Sequence, residues 1–243
     1  MKRKQLGMSL IGLMVGLLIS MIVILAMLVM YRMTIRNVFD AGGLVPNASQ
    51  DGQLASGLLS AQAALQGAGF GIVNAKSGEQ LLVLSGATYE PSSGKLTGTP
   101  VGIGSAGATG NAVLWETNAA LATEPANRKC SALWVDHARS DKSPDKERAA
   151  LYLLTAKGPC DPLSSSGTSV TWSSQVLISP DVLSEAVTLS ASKADSCWPF
   201  GAVPESISGS APSGGAVQVV LAYRNSSVGA TNSQKVCLAN FAS

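Results

Sequence analysis

His137 is the only histidine in this 243-residue chain, and that bounds the chemistry its side chains can carry out. A multi-histidine zinc site is excluded, and no pattern sets a nucleophile beside His137. Ser190-Ala-Ser-Lys193 fits an S-x-x-K nucleophile pattern, which also requires S-D-N and K-T-G motifs and a helix-borne serine; neither motif occurs. Gly102-Ile-Gly104-Ser-Ala-Gly107 fits G-x-G-x-x-G, but Pro100 precedes it and strand-like sequence follows it. A dinucleotide fingerprint needs a strand before and a helix after, so a surface loop is expected here. Asp141-x-Ser143-x-Asp145 supplies oxygens for a cation, yet lacks the loop glycine and terminal glutamate of a calcium site. Lys142, Lys146 and Arg148 also oppose a cation there, so Asp136–Arg148 is expected as a solvated loop. These readings predict no catalytic residues, no metal site and no cofactor: a protein that is not an enzyme.

The remaining reactive side chains are Cys130, Cys160, Cys197 and Cys237. None forms a C-x-x-C pair, and an even count in an exported domain points to disulfides. Three pairings are open. Cys130–Cys160 with Cys197–Cys237 closes the most local loops and is the expected pair, each bond adding roughly 2–4 kcal/mol.

Charge narrows the partners. The formal net charge is +2, but Lys2, Arg3 and Lys4 supply three of the 17 basic residues; without residues 1–7, 14 basic face 15 acidic residues, a net of −1. The body has no basic cluster of the kind that binds nucleic acid.

The elements that would position any function begin with an anchor. Met8 to Met30 carries no charged residue, and Tyr31-Arg32 closes the run. Crossing about 30 Å of hydrocarbon takes roughly 20 helical residues, whereas a cleavable h-region has about 7–15. The basic flank at residues 2–4 keeps the N-terminus cytoplasmic, so the body is expected on the far side of the membrane.

A Lys/Arg leader ending in Gly7, then Met-Ser-Leu-Ile and a long apolar helix, resembles the signal of type IV pilins and pseudopilins. The resemblance implies cleavage after Gly7 by a prepilin peptidase and N-methylation of Met8. It implies a leader at 1–7, a transmembrane and filament-core helix at 8–41, and a periplasmic head at 42–243. That family carries Glu at the fifth mature position, here Gly12. Without this carboxylate the register contact with a neighbouring subunit's amine is missing, which suits a tip-proximal or initiating subunit. Gly12, Gly16 and Ser20 recur every four residues and offer a small-residue face for helix packing.

Beyond the anchor, Gly42-Gly43 and Pro46 are expected to interrupt the helix. A second helix is predicted from an N-cap at Ser49 to about Gln66, burying Leu54, Leu58, Ala61 and Leu65. Its end, ALQGAGFGI, resembles the Ala-Gly-Phe segment of PilW-type minor pilins. Strands are expected at 80–85, 112–116, 132–136, 150–155, 170–172, 176–178, 217–223 and 235–241. Loops are expected at 90–110, 158–167 and 203–215. The expected fold is α+β and pilin-like: a long N-terminal hydrophobic helix with an antiparallel β-sheet head. The resemblance implies a minor pilin that initiates or caps a type IV pilus, with roles in adhesion and twitching motility. Its partners would be other minor pilins, the major pilin, the prepilin peptidase and the inner membrane before assembly, after which it lies in the extracellular pilus. A type II secretion pseudopilin, a DNA-uptake filament subunit and a single-pass periplasmic enzyme or binding protein remain the alternatives.

Overall fold

The computed structural model describes residues 10–39, 44–104, 106–121, 127–137, 139–140, 143–147, 149–162, 170–183, 187–194, 216–224 and 231–242. The chain divides into two compact units, residues 1–51 and 52–243.

The first unit contains α1 (Leu10–Phe39), 30 residues with no acidic residue in the first turn and Arg36 in the last. None of its side chains is buried. At 1.5 Å per residue it is about 45 Å long.

The second helix, α2 (Leu44–Gln66), begins five residues before the expected cap. Ser49 is therefore inside the helix, and Pro46 sits in its first turn. Proline is tolerated there because first-turn N–H groups have no intrahelical partner. The stripe Leu54, Leu58, Ala61 and Leu65 is buried as predicted. These four residues belong to the second unit and form part of its core.

That unit is built from antiparallel sheets. The larger has six strands in the order β10-β9-β6-β5-β2-β3. These are β2 (Leu81–Glu90), β3 (Lys95–Val101), β5 (Ala112–Thr117), β6 (Lys129–Asp136), β9 (Ala149–Pro159) and β10 (Trp172–Leu183). The smaller has the order β13-β12-β11-β4, from β4 (Ala108–Gly110), β11 (Thr188–Ala194), β12 (Ala216–Arg224) and β13 (Thr231–Leu238). A short parallel pair joins β1 (Ala75–Lys76) to β14 (Phe241–Ala242).

Several expectations are corrected. The stretch 90–110 is not one loop but holds β3 and β4. The expected strands 170–172 and 176–178 are replaced by one bulged strand, β10, which starts only at Trp172, while 235–241 divides between β13 and β14. The loop expected from 158 starts later, because β9 continues to Pro159. Within the charged segment, β7 (Arg139–Ser140) and β8 (Ser143–Glu147) pair antiparallel with each other. The stretch 203–215 lies outside the described residues.

The central strand β5 is covered on both faces of the six-stranded sheet, which explains the unbroken apolar run Ala112-Val-Leu-Trp115. Val113, Trp115, Leu133 and Leu151 join the α2 stripe and the inner face of the smaller sheet, including Leu189, Val219 and Leu221. Leu82, Leu114, Ala132, Trp134, Leu154 and Trp172 form a second cluster on the opposite face. Part of its cover comes from the sheet itself. The Trp172 amide donates to the Gly94 carbonyl at 2.7 Å, so the start of β10 meets the turn between β2 and β3.

Two junctions fix the frame. Gln234 Nε2 donates to Gln62 Oε1, and Asn240 Nδ2 donates to the Ala68 carbonyl at 2.9 Å, tying α2 and its exit to the C-terminal strands. The Ala-Gly-Phe segment then runs against the exit from β5. The Asn118 amide donates to the Phe70 carbonyl at 2.8 Å and its Nδ2 to the Gly71 carbonyl at 3.2 Å. Gly71 has φ +74°, and a Cβ there would fall on the Asn118 carbonyl oxygen, so only glycine fits.

Candidate functional site

Two features of the chain have the make-up of a functional surface: α1 and a cleft on the head. In α1 the uncharged residues 10–30 span about 30 Å at 1.5 Å per residue. Mean hydropathy reaches 3.0 within the helix, which is long and apolar enough to cross a membrane. Gly12 and Gly16 lie on it, and a Cβ at either would meet nothing within 4 Å. The Ser20 hydroxyl donates to the Leu17 carbonyl at 2.8 Å, so this polar group is satisfied within the helix and is tolerable in hydrocarbon. Gly7 and Met8 lie outside the described residues.

On the head, Cys130 and Cys160 form a disulfide with Cα atoms 5.8 Å apart. It links the start of β6 to the residue after β9, and both cysteines are buried within the second cluster. Cys237, on β13, is also disulfide-bonded; Cys197 lies outside the described residues. Ser190 and Lys193 are on β11 rather than a helix, which removes the geometry an S-x-x-K nucleophile needs. Gly102 and Gly104 follow β3, and Gly107 precedes β4, so no helix follows the glycine pattern. Ile103 between them is buried. Among the described residues no group of three His, Cys, Asp or Glu could hold a metal.

The cleft on the outer face of the six-stranded sheet has a volume of about 270 Å³ and is lined by Thr88, Tyr89, Trp134, Asp136, Tyr152 and Ser174, among others. Sequence reasoning did not find it, because Tyr89, Trp134 and Tyr152 come from three different strands. Register assembles them: Trp134 on β6 lies opposite Tyr152 on β9. Their ring centroids are 5.2 Å apart, and Tyr89 meets Trp134 edge-on at 5.6 Å. The one readable signal was Trp134-Val-Asp136, which puts indole and carboxylate on the same strand face.

A backbone knot holds this corner. A bulge between Ser85 and Thr88 shifts the register of β2 against β3. Asn111, just before β5, reads the bulged backbone with its side chain: Oδ1 accepts from the Ala87 amide and Nδ2 donates to the Ala87 carbonyl, both at 2.7 Å. Trp134 Nε1 donates to the same carbonyl at 3.0 Å, and Tyr89 Oη donates to the Trp172 carbonyl at 3.3 Å. Burial raises the pKa of Asp136, partly opposed by His137, and burial with the nearby Asp136 charge raises that of Tyr152.

A second, wider depression of about 610 Å³ is bordered by Arg128, Lys129 and Lys157. Arg128 Nη1 reaches Glu116 Oε1 at 3.3 Å, and Glu116 is buried.

The chain matches no family model, no curated protein and no solved structure. Its architecture is nonetheless pilin-like: a long apolar N-terminal helix followed by an antiparallel β-sheet domain.

Proposed function

We propose that this chain is a minor pilin of a type IV pilus, inserted through α1 and working near the filament tip. The observation that carries this reading is an exposed, uncharged helical stretch placed directly after a Lys2-Arg3-Lys4 leader and Gly7, ahead of an antiparallel β head. A helix with no buried side chain leaves its apolar surface open to neighbours. Lipid covers such a surface before assembly, and neighbouring helices cover it afterwards. The open face at Gly12 and Gly16 supports close approach of those neighbours. The Cys130–Cys160 bond supports an oxidising compartment for the head and therefore translocation across the membrane. The nucleophile pattern falls on a strand and the glycine pattern between strands, so neither of these two motifs supports an enzyme reading.

Gly12 separates the tip reading from a shaft subunit. Replacement Gly12→Glu restores the carboxylate that the resemblance assigns to shaft subunits. Immunogold labelling of the head is expected at one filament end for the native chain and along the shaft for the variant. Unchanged labelling of the variant counts against the tip reading. The same chemistry would serve a type II secretion pseudopilus, and labelling of secretion-dependent filaments in place of pili would assign it there.

A further inference from the structure

We propose that the aromatic cleft of the head binds an organic cation of the alkylammonium class, with Asp136 as the counter-charge and the rings of Tyr89 and Tyr152, backed by Trp134, as the π surface. This inference is independent of the pilus reading.

Several polar groups of the cleft are already used. Trp134 Nε1 is committed to the Ala87 carbonyl and Tyr89 Oη to the Trp172 carbonyl. The Thr88 hydroxyl pairs with that of Thr97 at 2.8 Å. What remains for a ligand is the Asp136 carboxylate with the hydroxyls of Tyr152 and Ser174. A sugar needs a ring of donors and acceptors to replace its lost water, and these walls do not provide one. A cation needs the reverse: one negative charge and electron-rich faces.

Asp136 meets the first need. His137 beside it partly offsets its charge, no salt bridge to it forms among the described residues, and it is half-buried in the cleft with Tyr152 and Trp134. Partial desolvation of a carboxylate is costly, and a cation placed against it reduces that cost. The aromatic cluster meets the second need. Tyr89 and Tyr152 are each only partly buried, so ring surface remains open at the rim of the cleft. The geometry is also pre-built: sheet register, the β2 bulge and the Asn111 side chain hold the rings before any ligand arrives. Little ordering is then needed on binding. A volume of about 270 Å³ suits one small headgroup and not an extended chain.

The test uses the full chain in a polyoxyethylene detergent that carries neither sugar nor ammonium, with choline and its neutral carbon isostere 3,3-dimethylbutanol as probes. Calorimetric titration is expected to show saturable choline binding and at least tenfold weaker binding of the isostere. That comparison needs no variant. Asp136→Asn is expected to weaken choline at least tenfold with its near-ultraviolet dichroism unchanged, and Tyr152→Leu several-fold. Tyr152→Phe keeps the ring and is expected to keep the affinity. Equal binding of choline and its isostere, no saturable choline binding, or full affinity in a folded Asp136→Asn variant each overturns the proposal. Saturable glucose binding displaced by choline also overturns it, by reassigning the cleft to carbohydrate.

Discussion

Glu116 has 1% of its surface exposed and pairs with Arg128, whose Nη1 lies 3.3 Å away. Burial outweighs that attraction and raises the carboxyl pKa above its ordinary value, with Asp161 adding to the rise. The folded chain therefore holds this proton more tightly than the unfolded chain. Between the ordinary carboxylate value and the raised one, folding takes up protons, so this group adds stability as pH falls through that window. At neutral pH the ionised carboxylate is a net cost. Glu116→Gln keeps an acceptor for Arg128, which is half-exposed and can hydrate. The variant is expected to match or exceed the parent at neutral pH by up to about 2 kcal/mol. It should also lose part of the gain in stability on acidification, as read by urea midpoints at pH 7 and 5. A neutral-pH loss of several kcal/mol would mean that the ion pair outweighs desolvation.

At the scale of elements, α2 carries two glycines with opposite expectations. A Cβ on Gly57 would fall on Ile178 Cγ1 and the Leu177 carbonyl oxygen, so α2 presses directly on β10 at this point. A Cβ on Gly52 would meet nothing within 4 Å. Helix propensity favours alanine at both positions by about 1 kcal/mol. At Gly57 the backbone oxygen cannot step aside, and overpacking of about 1–3 kcal/mol outweighs that gain. Denaturation midpoints should thus rise for Gly52→Ala and fall for Gly57→Ala. A rise for both would show that α2 sits less tightly on the sheet than this packing requires.

The buried stripe of α2 was legible because Leu54, Leu58, Ala61 and Leu65 repeat at helical spacing. The sheet-core strands β5, β6, β9 and β12 were legible as apolar runs too short for helices. Edge and small-residue strands were not. In β3, Lys-Leu-Thr-Gly-Thr-Pro-Val buries only Leu96 and includes Gly98 and Pro100, which read as a loop. Its strand state comes from pairing with β2. In β11, Thr-Leu-Ser-Ala-Ser-Lys-Ala is too weakly apolar to announce itself and is extended because β12 and β4 flank it. The start of α2 was missed because Gly and Pro marked a boundary that a first-turn proline does not impose. The Cys130–Cys160 pair was readable from loop closure, whereas the aromatic cleft needed sheet register that no local pattern states.

For the molecule as a whole, the sequence partitions its chemistry sharply. Apolar surface without charge is concentrated in residues 8–30, and disulfides belong to a head that is nearly neutral. Such a division suits a protein that must live first in a bilayer and then in a filament, with its head in an oxidising aqueous space. The central claim is that this chain enters that path through prepilin processing. Its most direct test is the mass of the N-terminal peptide from cells with and without the prepilin peptidase. The account predicts a peptide beginning at a methylated Met8 in the first case and residues 1–7 retained in the second. An intact N-terminus in both would contradict it, leaving α1 as the anchor of a single-pass protein.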